Sequence, residues 1–307
     1  MKRNIYLKTI PPAEAVARVK ASIDREALIR EETIPSHEAS GRVLAHAVHA
    51  RYSSPTFHSA AMDGYAVNAR STFAAREGHP LTLKAGETCF AVNTGHPMPE
   101  GCDAVIMIEQ VVLDGGSVTI EAPAFPWQHV RRIGEDIVAT ELLFPRNHQL
   151  RPWDVGALLS GGIWDVPVWE RVTVRIIPTG DEVLDFTTHP DPGKGQVVES
   201  NSQMLAALAR ELGCVVERAA PVPDNPEALH QALKDSLDAG RHLTIFCAGS
   251  SAGSKDFTRA TLEKEGEILT HGIAAMPGKP SLLANCRGRL VAGAPGYPVS
   301  ALVCFKE

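Results

Sequence analysis

The chain has 307 residues, 44% of them hydrophobic, and a formal net charge of −6 at pH 7. This length suffices for two or three domains with buried cores. The negative charge argues against a general affinity for nucleic acid or anionic membranes. No apolar run is long enough to span a membrane, and the first residues are too mixed for a signal sequence, so we expect a cytoplasmic protein.

The N-terminal part predicts one helix, one strand and then a β-rich domain. The segment PPAEAVARVKASIDREALIREE starts with proline and places Val16, Val19 and Ile23 on one helical face. The strand-like segment GRVLAHAVHA follows. Residues 53–144 then alternate short valine-rich pieces with glycine and proline, which is typical of a small β-rich domain. A further helix and short strand are predicted within RPWDVGALLSGGIWDVPVW.

From residue 171 onward, strands alternate with helices. VTVRII is a β-branched run that predicts a strand, and CVVERA and HLTIFC are predicted as two further strands. The helix SNSQMLAALARELG ends at Gly213, and DNPEALHQALKDSLDAG has Asn225 as N-cap, Pro226 at its first position and Gly240 as its stop. This alternation predicts βαβ units and a parallel sheet covered by helices on both faces.

The turns that leave these strands are the places to look for ligand chemistry, because ligands of open parallel sheets bind beyond the carboxyl ends of the strands. CAGSSAGSKDF is rich in small residues, which lets backbone N–H groups approach a phosphate. A tight structural turn is an equally good interpretation of this loop alone. The chain has neither the GxxxxGK[ST] nor the GxGxxG pattern, so no nucleotide-binding fingerprint supports the phosphate interpretation.

Three acids, Glu182, Asp224 and Asp256, follow successive strand-like segments and are expected to converge. Each alone is more typical of a helix cap. Together they would repel a phosphate unless a cation lay between, and Mg²⁺ is the natural candidate. Lys279, between Gly278 and Pro280, is either a solvated lysine or an anion-directed charge.

Two other residue types carry less information. The six cysteines are widely spaced and form no CxxC pair, so buried free thiols are expected. The histidines show no metal-ligand spacing such as HExxH, and we assign them no chemistry. A carboxylate in an apolar setting, Asp63 in SPTFHSAAMDGYAV, is followed directly by Gly64.

These segments together resemble the MoeA family, the molybdopterin molybdenumtransferases, which includes the C-terminal part of gephyrin. The resemblance covers nearly the whole chain in family order, through EASGRVLAHAV, AAMDGYAV, NTGHPMPEGCDAVIMIEQ, RRIGEDI, RPWDVGALLSGG, IIPTGDEV, VVESNSQML, AGSSAGSKDF, MPGKP and GAPGYPVSA.

The resemblance implies an α/β fold, in which a parallel-sheet molybdopterin-binding domain (171–307) is preceded by an elongated domain (1–52 and 145–170) and an inserted β-rich domain (53–144). It implies a homodimer that inserts molybdate or tungstate into adenylylated molybdopterin with Mg²⁺ and releases AMP. Molybdopterin adenylyltransferase is a possible partner. The usual C-terminal β domain of the family is absent from this sequence, so a C-terminally truncated chain is expected.

The resemblance also implies roles for individual residues. Asp63, Thr94, Glu182 and Lys279 are the expected catalytic residues. The expected metal ligands are Glu182, Asp224 and Asp256. The expected cofactor-binding residues are Thr179, Gly180, Asp224, Gly249, Ser250, Ser251, Gly253, Pro295 and Pro298. Asp63 would be an active-site acid presented by the β-rich domain, with Gly64 permitting the backbone turn.

Four positions depart from the family pattern. Ala60 replaces a serine, AGSSAG replaces a GGVSVG-like loop, Met276 replaces a lysine and Tyr297 replaces an asparagine. The substitutions at 276 and 297 leave open an alternative function, a molybdopterin-binding or storage module without catalysis. A scaffold role like that of gephyrin is a third hypothesis, but its additional interaction segments are absent from this sequence.

Overall fold

The computed structural model describes residues 8–247 and 257–307. It separates into two compact units, Met1–Glu32 with Trp169–Glu307, and Thr33–Val168. The finer division into three domains stays a prediction.

The helices and strands are numbered in chain order. The helices are α1 (Pro12–Ser22), α2 (Arg25–Leu28), α3 (Pro152–Ser160), α4 (Asn201–Glu211), α5 (Pro226–Asp238), α6 (Phe257–Glu265) and α7 (Pro298–Lys306). The first strands are β1 (Glu31–Pro35), β2 (Val48–His49), β3 (Ser59–Ala60), β4 (Gly64–Val67), β5 (Leu81–Lys84), β6 (Cys89–Val92), β7 (Ala104–Met107), β8 (Val111–Asp114), β9 (Ser117–Ile120), β10 (Val130–Arg131) and β11 (Leu142–Phe144). The later strands are β12 (Asp165–Trp169), β13 (Thr173–Pro178), β14 (Val183–Leu184), β15 (Val197–Val198), β16 (Val215–Arg218), β17 (Leu243–Cys247), β18 (Gly266–His271), β19 (Leu282–Cys286) and β20 (Arg289–Ala294).

The α/β unit is built on a six-stranded sheet with the order β16-β13-β17-β20-β19-β18. Strands β16, β13, β17 and β20 are parallel, which confirms the predicted α/β fold with a parallel sheet. The last two pairings, β20 with β19 and β19 with β18, are antiparallel and were not predicted. After β13 the chain passes through α4 to β16 on one side of β13, and then through α5 to β17 on its other side. The strand order therefore reverses at β13.

Helices cover both faces of this sheet, as predicted. On one face, Leu233 of α5 and Leu262 of α6 share a buried core with Phe246. On the other face, Leu205 of α4 and Ala301 of α7 pack in a second core. The sheet therefore lies between two layers of helices, and a ligand can reach it at the ends of its strands.

The predicted N-terminal helix is two helices. Ile23 has an extended backbone and ends α1. Asp24 then accepts hydrogen bonds from the N–H groups of Glu26 and Ala27 and so caps α2. The side chain of Asp24 takes backbone N–H groups that a continuous helix would pair internally. The helix is therefore interrupted, although apolar residues continue at helical spacing.

The unit Thr33–Val168 is rich in β structure and has separate apolar cores. Two three-stranded sheets, β6-β4-β7 and β5-β9-β8, enclose a core that includes Val67 and Ile120. A different core, which includes Leu44 and Leu158, lies where β2, β11, β12 and α3 pack.

All six cysteines are free thiols, as predicted, but only Cys89, Cys247 and Cys286 are buried, and the other three are partly exposed. Burial raises the pKa of Cys286 to about 11, so this thiol is neutral at physiological pH. Within the described residues, no helix has the length and apolar character needed to cross a membrane.

A polar cluster joins the ends of α5 and α6 to the β19–β20 turn. Glu265 pairs with His230 at 2.6 Å and accepts a hydrogen bond from Nε of Arg287 at 2.9 Å. Arg287 also donates to Asp238 at 2.9 Å. The hydrogen bond with His230 is the main cause that lowers the pKa of Glu265; burial opposes it and Arg287 assists it.

We expect Glu265→Gln to lower the free energy of unfolding at pH 7 by about 1 kcal/mol, since charged hydrogen bonds in a partly screened cluster are lost. A carboxylate with a lowered folded pKa stabilises the fold above its unfolded pKa, and this stabilisation is lost as the pH falls through the folded pKa. The difference from wild type should therefore shrink below about pH 4. Urea unfolding over pH 3 to 8 measures it.

Glu263→Gln is the matched control on the same helix. Glu263 is exposed and, in the part of the chain that the structure describes, pairs with Arg259 four residues away, so its change should stay within about 0.5 kcal/mol. Equal effects of the two substitutions at pH 7 would contradict a stabilising role for the Glu265 cluster.

Candidate active site

The carboxyl ends of β13 and β17 are joined by Thr179. Its side chain is 1% exposed, and both its N–H and its hydroxyl donate to the carbonyl of Cys247, at 3.0 and 2.8 Å. The next residue, Gly180, donates its N–H to the carbonyl of Val222 beyond β16 at 3.1 Å. Thr179 and Gly180 thus connect the turns that follow three parallel strands.

The turns after β13 and β16 meet through two aspartates. Oδ1 of Asp181 accepts a hydrogen bond from the N–H of Asp224 at 3.1 Å. Sequence reasoning left Asp181 without a role; its position directly after Gly180 in PTGDEV was the available signal. The cap of α5 is Asn225, whose Oδ1 accepts from the N–H groups of Glu227 and Ala228. Asp224 therefore does not cap this helix.

Glu182 is exposed and lies beside Gly180. A Cβ added at Gly180 would come within 3.0 Å of Oε2 of Glu182 and within 2.8 Å of Val183, and φ at Gly180 is +136°. The turn therefore needs glycine to bring the Glu182 carboxylate this close to the strand end.

Several predicted site residues lie outside the described residues, and the structure gives no account of them. They are Gly249, Ser250, Ser251, Gly253 and Asp256. Within residues 8–247 and 257–307, no group of three histidine, cysteine or acidic side chains could hold a metal. The proposed metal set includes Asp256, so it stays a prediction.

A buried ionic cluster fixes the start of α4 near the same edge. Glu199 accepts hydrogen bonds from the N–H and the hydroxyl of Ser202, at 2.7 and 2.6 Å. Arg218 donates to the Ser202 hydroxyl at 2.9 Å and to Asp185 at 3.1 Å, and lies 3.5 Å from Glu199. Its guanidinium also covers the ring of Phe186. The cation offsets the two acids, and sequence reasoning missed this cluster.

On the other side of the strand ends, the turn between β20 and α7 carries Pro295 and Pro298. Pro295 is buried directly after β20, and Pro298 begins α7. Nδ2 of Asn201 donates to the carbonyl of Gly296 at 2.7 Å, which ties the start of α4 to this turn. Tyr297, between the prolines, is 82% exposed.

Lys279 is exposed on the turn between β18 and β19. Its carbonyl accepts a hydrogen bond from the N–H of Ile273 at 2.9 Å, so the backbone of the turn is fixed. Met276 on the same turn is 91% exposed. The structure pairs the Lys279 side chain with no acid among the described residues, which is compatible with either a solvated or an anion-directed lysine.

Asp63 and Thr94 belong to the β-rich unit and contact each other directly. Oδ1 of Asp63 accepts hydrogen bonds from the N–H of Thr94 at 2.7 Å and from its hydroxyl at 3.0 Å. The bond from the Thr94 backbone is the main cause that lowers the pKa of Asp63, the Thr94 hydroxyl and nearby His96 lower it further, and burial opposes them. Asp63 is therefore a carboxylate at neutral pH, suited to accept a proton or bind a cation rather than to donate a proton.

Gly64 is required for a reason other than the predicted turn. It pairs with Met107 of β7, and a Cβ at position 64 would lie 1.9 Å from the carbonyl oxygen of Ile106. This close approach brings β4 onto β7 directly after Asp63, whose own carbonyl accepts the N–H of Ile108 at 3.0 Å. The glycine thus fixes the backbone that presents the carboxylate.

Comparison with known proteins identifies the family. Residues 10–162 match the profile of the MoeA N-terminal region (domain I and II), and residues 175–307 match the profile described as "Probable molybdopterin binding domain". Molybdopterin molybdenumtransferase of Haemophilus influenzae is 34% identical over 296 residues, covering 90% of this chain and 70% of the relative. The chain belongs to the MoeA family.

Other MoeA-family relatives agree. Molybdopterin molybdenumtransferase 2 of Mycobacterium tuberculosis is 34% identical over 303 residues, covering 90% of this chain and 73% of the relative. A crystal structure of the molybdopterin biosynthesis MoeA protein from Pyrococcus horikoshii has a TM-score of 0.83 and 29% identity, and covers 97% of this chain and 78% of that one. The MoeA-family chain therefore shares the fold over nearly its whole length.

We expect Gly64→Ala to destabilise this MoeA-family chain by about 2–4 kcal/mol, because the new methyl group meets a backbone oxygen that cannot move without opening the β4–β7 pair. Thermal and denaturant unfolding measure the loss. Gly156→Ala in α3 is the control: nothing lies within 4 Å of its added Cβ, and alanine should stabilise this helix by up to about 1 kcal/mol. Wild-type stability of Gly64→Ala would contradict the close approach.

Proposed function

We propose that this chain acts in molybdenum cofactor biosynthesis, by inserting molybdate or tungstate into adenylylated molybdopterin with release of AMP. The observation that carries the proposal is the meeting of the turns after β13 and β16, where Asp181 accepts the N–H of Asp224. This edge lies within the segment that matches the molybdopterin-binding profile. The relatives from Haemophilus influenzae and Mycobacterium tuberculosis, which match 90% of this chain, are named molybdopterin molybdenumtransferases.

The chemistry of the strand-end residues fits Mg²⁺. Glu182 is an exposed carboxylate beside a strand end, and Asp224 lies on the turn joined to the same strand end. Mg²⁺ takes oxygen ligands and is commonly held by one or two carboxylates together with substrate phosphates. We propose Glu182, Asp224 and Asp256 as the residues that hold it. When bound, the ion would neutralise phosphate charge on the nucleotide part of the ligand.

The remaining side chains of this unit are proposed to bind and orient the ligand. Thr179 and Gly180 set the strand-end turn, and the turn at Pro295 and Pro298 forms another wall. Lys279 offers a positive charge suited to an oxyanion. The small-residue positions Gly249, Ser250, Ser251 and Gly253 complete the proposed cofactor-binding set.

Asp63 and Thr94 are proposed as catalytic residues of the β-rich unit. The two hydrogen bonds from Thr94 lower the pKa of the exposed Asp63 carboxyl and fix one of its oxygens. Among the described residues, no protein group donates a hydrogen bond to the other oxygen, Oδ2, which is the atom proposed to accept a proton. We further propose a cytoplasmic homodimer that receives its substrate from a molybdopterin adenylyltransferase.

The reaction is tested by incubating the full-length protein with adenylylated molybdopterin, molybdate or tungstate, and a series of Mg²⁺ concentrations. We expect AMP release coupled to metal incorporation. Pterin binding without either product would favour the non-catalytic binding or storage module. Molybdate and tungstate are compared directly, because no described side chain distinguishes two oxyanions of such similar size.

Substitutions separate the two proposed roles. Asp63→Asn should lower kcat by about a hundredfold or more with an unchanged Mg²⁺ midpoint, since it removes the carboxylate but no metal ligand. Glu182→Gln should instead raise the Mg²⁺ concentration needed for half-maximal AMP release. Asp114→Asn, at an exposed end of β8, is the control and should behave as wild type. Identical Mg²⁺ curves for wild type and Glu182→Gln would contradict the metal role of Glu182.

The proposed homodimer has a separate test. Light scattering after size exclusion should give twice the mass of one chain at micromolar concentration, and this mass should persist without substrate. A single-chain mass over the whole concentration range would contradict the homodimer while leaving the activity measurements unaffected.

A further inference from the structure

Glu182 is joined to a small β ribbon that follows it in the chain. Strands β14 and β15 run parallel and form a two-stranded sheet of their own. The N–H of Val197 donates to the carbonyl of Glu182 at 3.0 Å, and the N–H of Glu199 donates to the carbonyl of Leu184 at 2.9 Å. The backbone of Glu182 is therefore part of this pairing, and the place of its carboxylate depends on where the ribbon lies.

The ribbon is too small to fix its own position. Each strand has only two residues, and a two-stranded sheet is at best marginally stable by itself. The side chains of β15 add little burial, because Val197 and Val198 are 52% and 39% exposed. Contacts outside the ribbon must therefore hold it.

Arg218 of β16 contacts both ends of the ribbon. Its backbone is fixed in the six-stranded sheet, where it pairs with Ile176 of β13. Its side chain donates to Asp185, directly after β14, at 3.1 Å, and lies 3.5 Å from Glu199, directly after β15. The guanidinium also covers the ring of Phe186, 4.6 Å from the ring centre. One side chain thus connects the ribbon to the sheet.

Burial makes this connection stronger than an ordinary surface ion pair. The side chains of Glu199, Arg218 and Asp185 are 3%, 15% and 22% exposed, so water cannot readily replace the partners. The hydroxyl of Ser202 completes the cluster, since it accepts from Arg218 at 2.9 Å and donates to Glu199 at 2.6 Å. A planar guanidinium can contact several acceptors in fixed directions, whereas a lysine ammonium cannot reproduce this fork.

We infer that Arg218 is a positioning residue for Glu182, because it holds the two ends of the ribbon from which the Glu182 carboxylate projects. This inference rests on the proposed metal role of Glu182. On the other side, Gly180 is tied to the carbonyl of Val222 at 3.1 Å. Glu182 is therefore held from both sides, and its carboxylate is oriented before a cation binds.

The first test is hydrogen exchange of the Val197 and Glu199 amides in protein without substrate or metal. Arg218→Lys keeps a positive charge beside the two acids, so the fold is retained, but it loses the fork. Both amides should exchange about five- to tenfold faster than in wild type, which corresponds to about one net hydrogen bond. Amides of β17 should exchange as in wild type.

Arg175→Lys is the matched control. Arg175 lies on the neighbouring strand β13, has a side chain that is 18% exposed, and pairs with Glu217 of β16 at 3.6 Å. It should leave the exchange of Val197 and Glu199 unchanged.

The second test is the Mg²⁺ concentration needed for half-maximal AMP release. Arg218→Lys should raise it about three- to tenfold, and Arg175→Lys should not. In the background of Glu182→Gln, adding Arg218→Lys should cause little further change, because a residue that acts through Glu182 has no effect once that carboxylate is gone.

Asp185→Asn is a second variant, which serves if Arg218→Lys does not fold. The asparagine oxygen still accepts the N–H of Thr187, as Asp185 does at 3.0 Å, but it offers Arg218 no charge. Its effects on exchange and on the Mg²⁺ midpoint should have the same direction and be smaller.

Two results would overturn the inference. One is exchange of Val197 and Glu199 that is the same in wild type and Arg218→Lys. The other is faster exchange with a wild-type Mg²⁺ midpoint, while Glu182→Gln shifts that midpoint. An unchanged midpoint in Glu182→Gln would instead reject the metal role of Glu182, and the exchange rates would still report whether Arg218 holds the ribbon.

Discussion

The parallel pairing of β13 with β16 on one side and with β17 on the other fixes the ligand-facing edge of the α/β unit. Parallel strands end together, so the turns after them are forced into contact. Thr179 joins the ends of β13 and β17, and Asp181 joins the turns after β13 and β16. The polar groups of the candidate site are therefore placed by backbone pairing in the core, and their positions depend little on the flexibility of the turns.

The β-rich unit places its carboxylate by a different device. Asp63 follows a strand that is held by backbone bonds to the turn at 93–96, and precedes a glycine that lets β4 approach β7. Thr94 then supplies two donors to one oxygen. Asp63 is exposed, so it is ionised at neutral pH although the neighbouring segments are apolar, and the donors lower its pKa further. This explains why an acid stands within SAAMDGYAV.

The sequence predicts those features that depend on neighbouring residues along the chain. Strands β13 and β17 are continuous apolar runs, and α5 begins at an asparagine cap followed by proline, so all were predictable. The antiparallel edge formed by β18 and β19 depends on pairing between separate segments and has no local signal. The need for Gly64 arises from Ile106, which is distant in sequence. The family resemblance implies that Asp63 and Thr94 are site residues, which stays a prediction, and the structure shows how Thr94 holds the carboxylate.

The charge balance at the start of α4 bears on the cation proposed at the ends of the parallel strands. The N-terminal dipole of α4 already faces a carboxylate, since Glu199 accepts the N–H of Ser202. Arg218 is likewise engaged, because it donates hydrogen bonds to Asp185 and to the hydroxyl of Ser202. Neither the helix dipole nor this arginine is therefore left over to attract a phosphate. Asp181 and Glu182 add further negative charge at the adjacent turn, so a phosphorylated ligand would meet repulsion there. A divalent cation between these acids and the phosphates would remove that repulsion, and this supports the Mg²⁺ proposed for these strand ends.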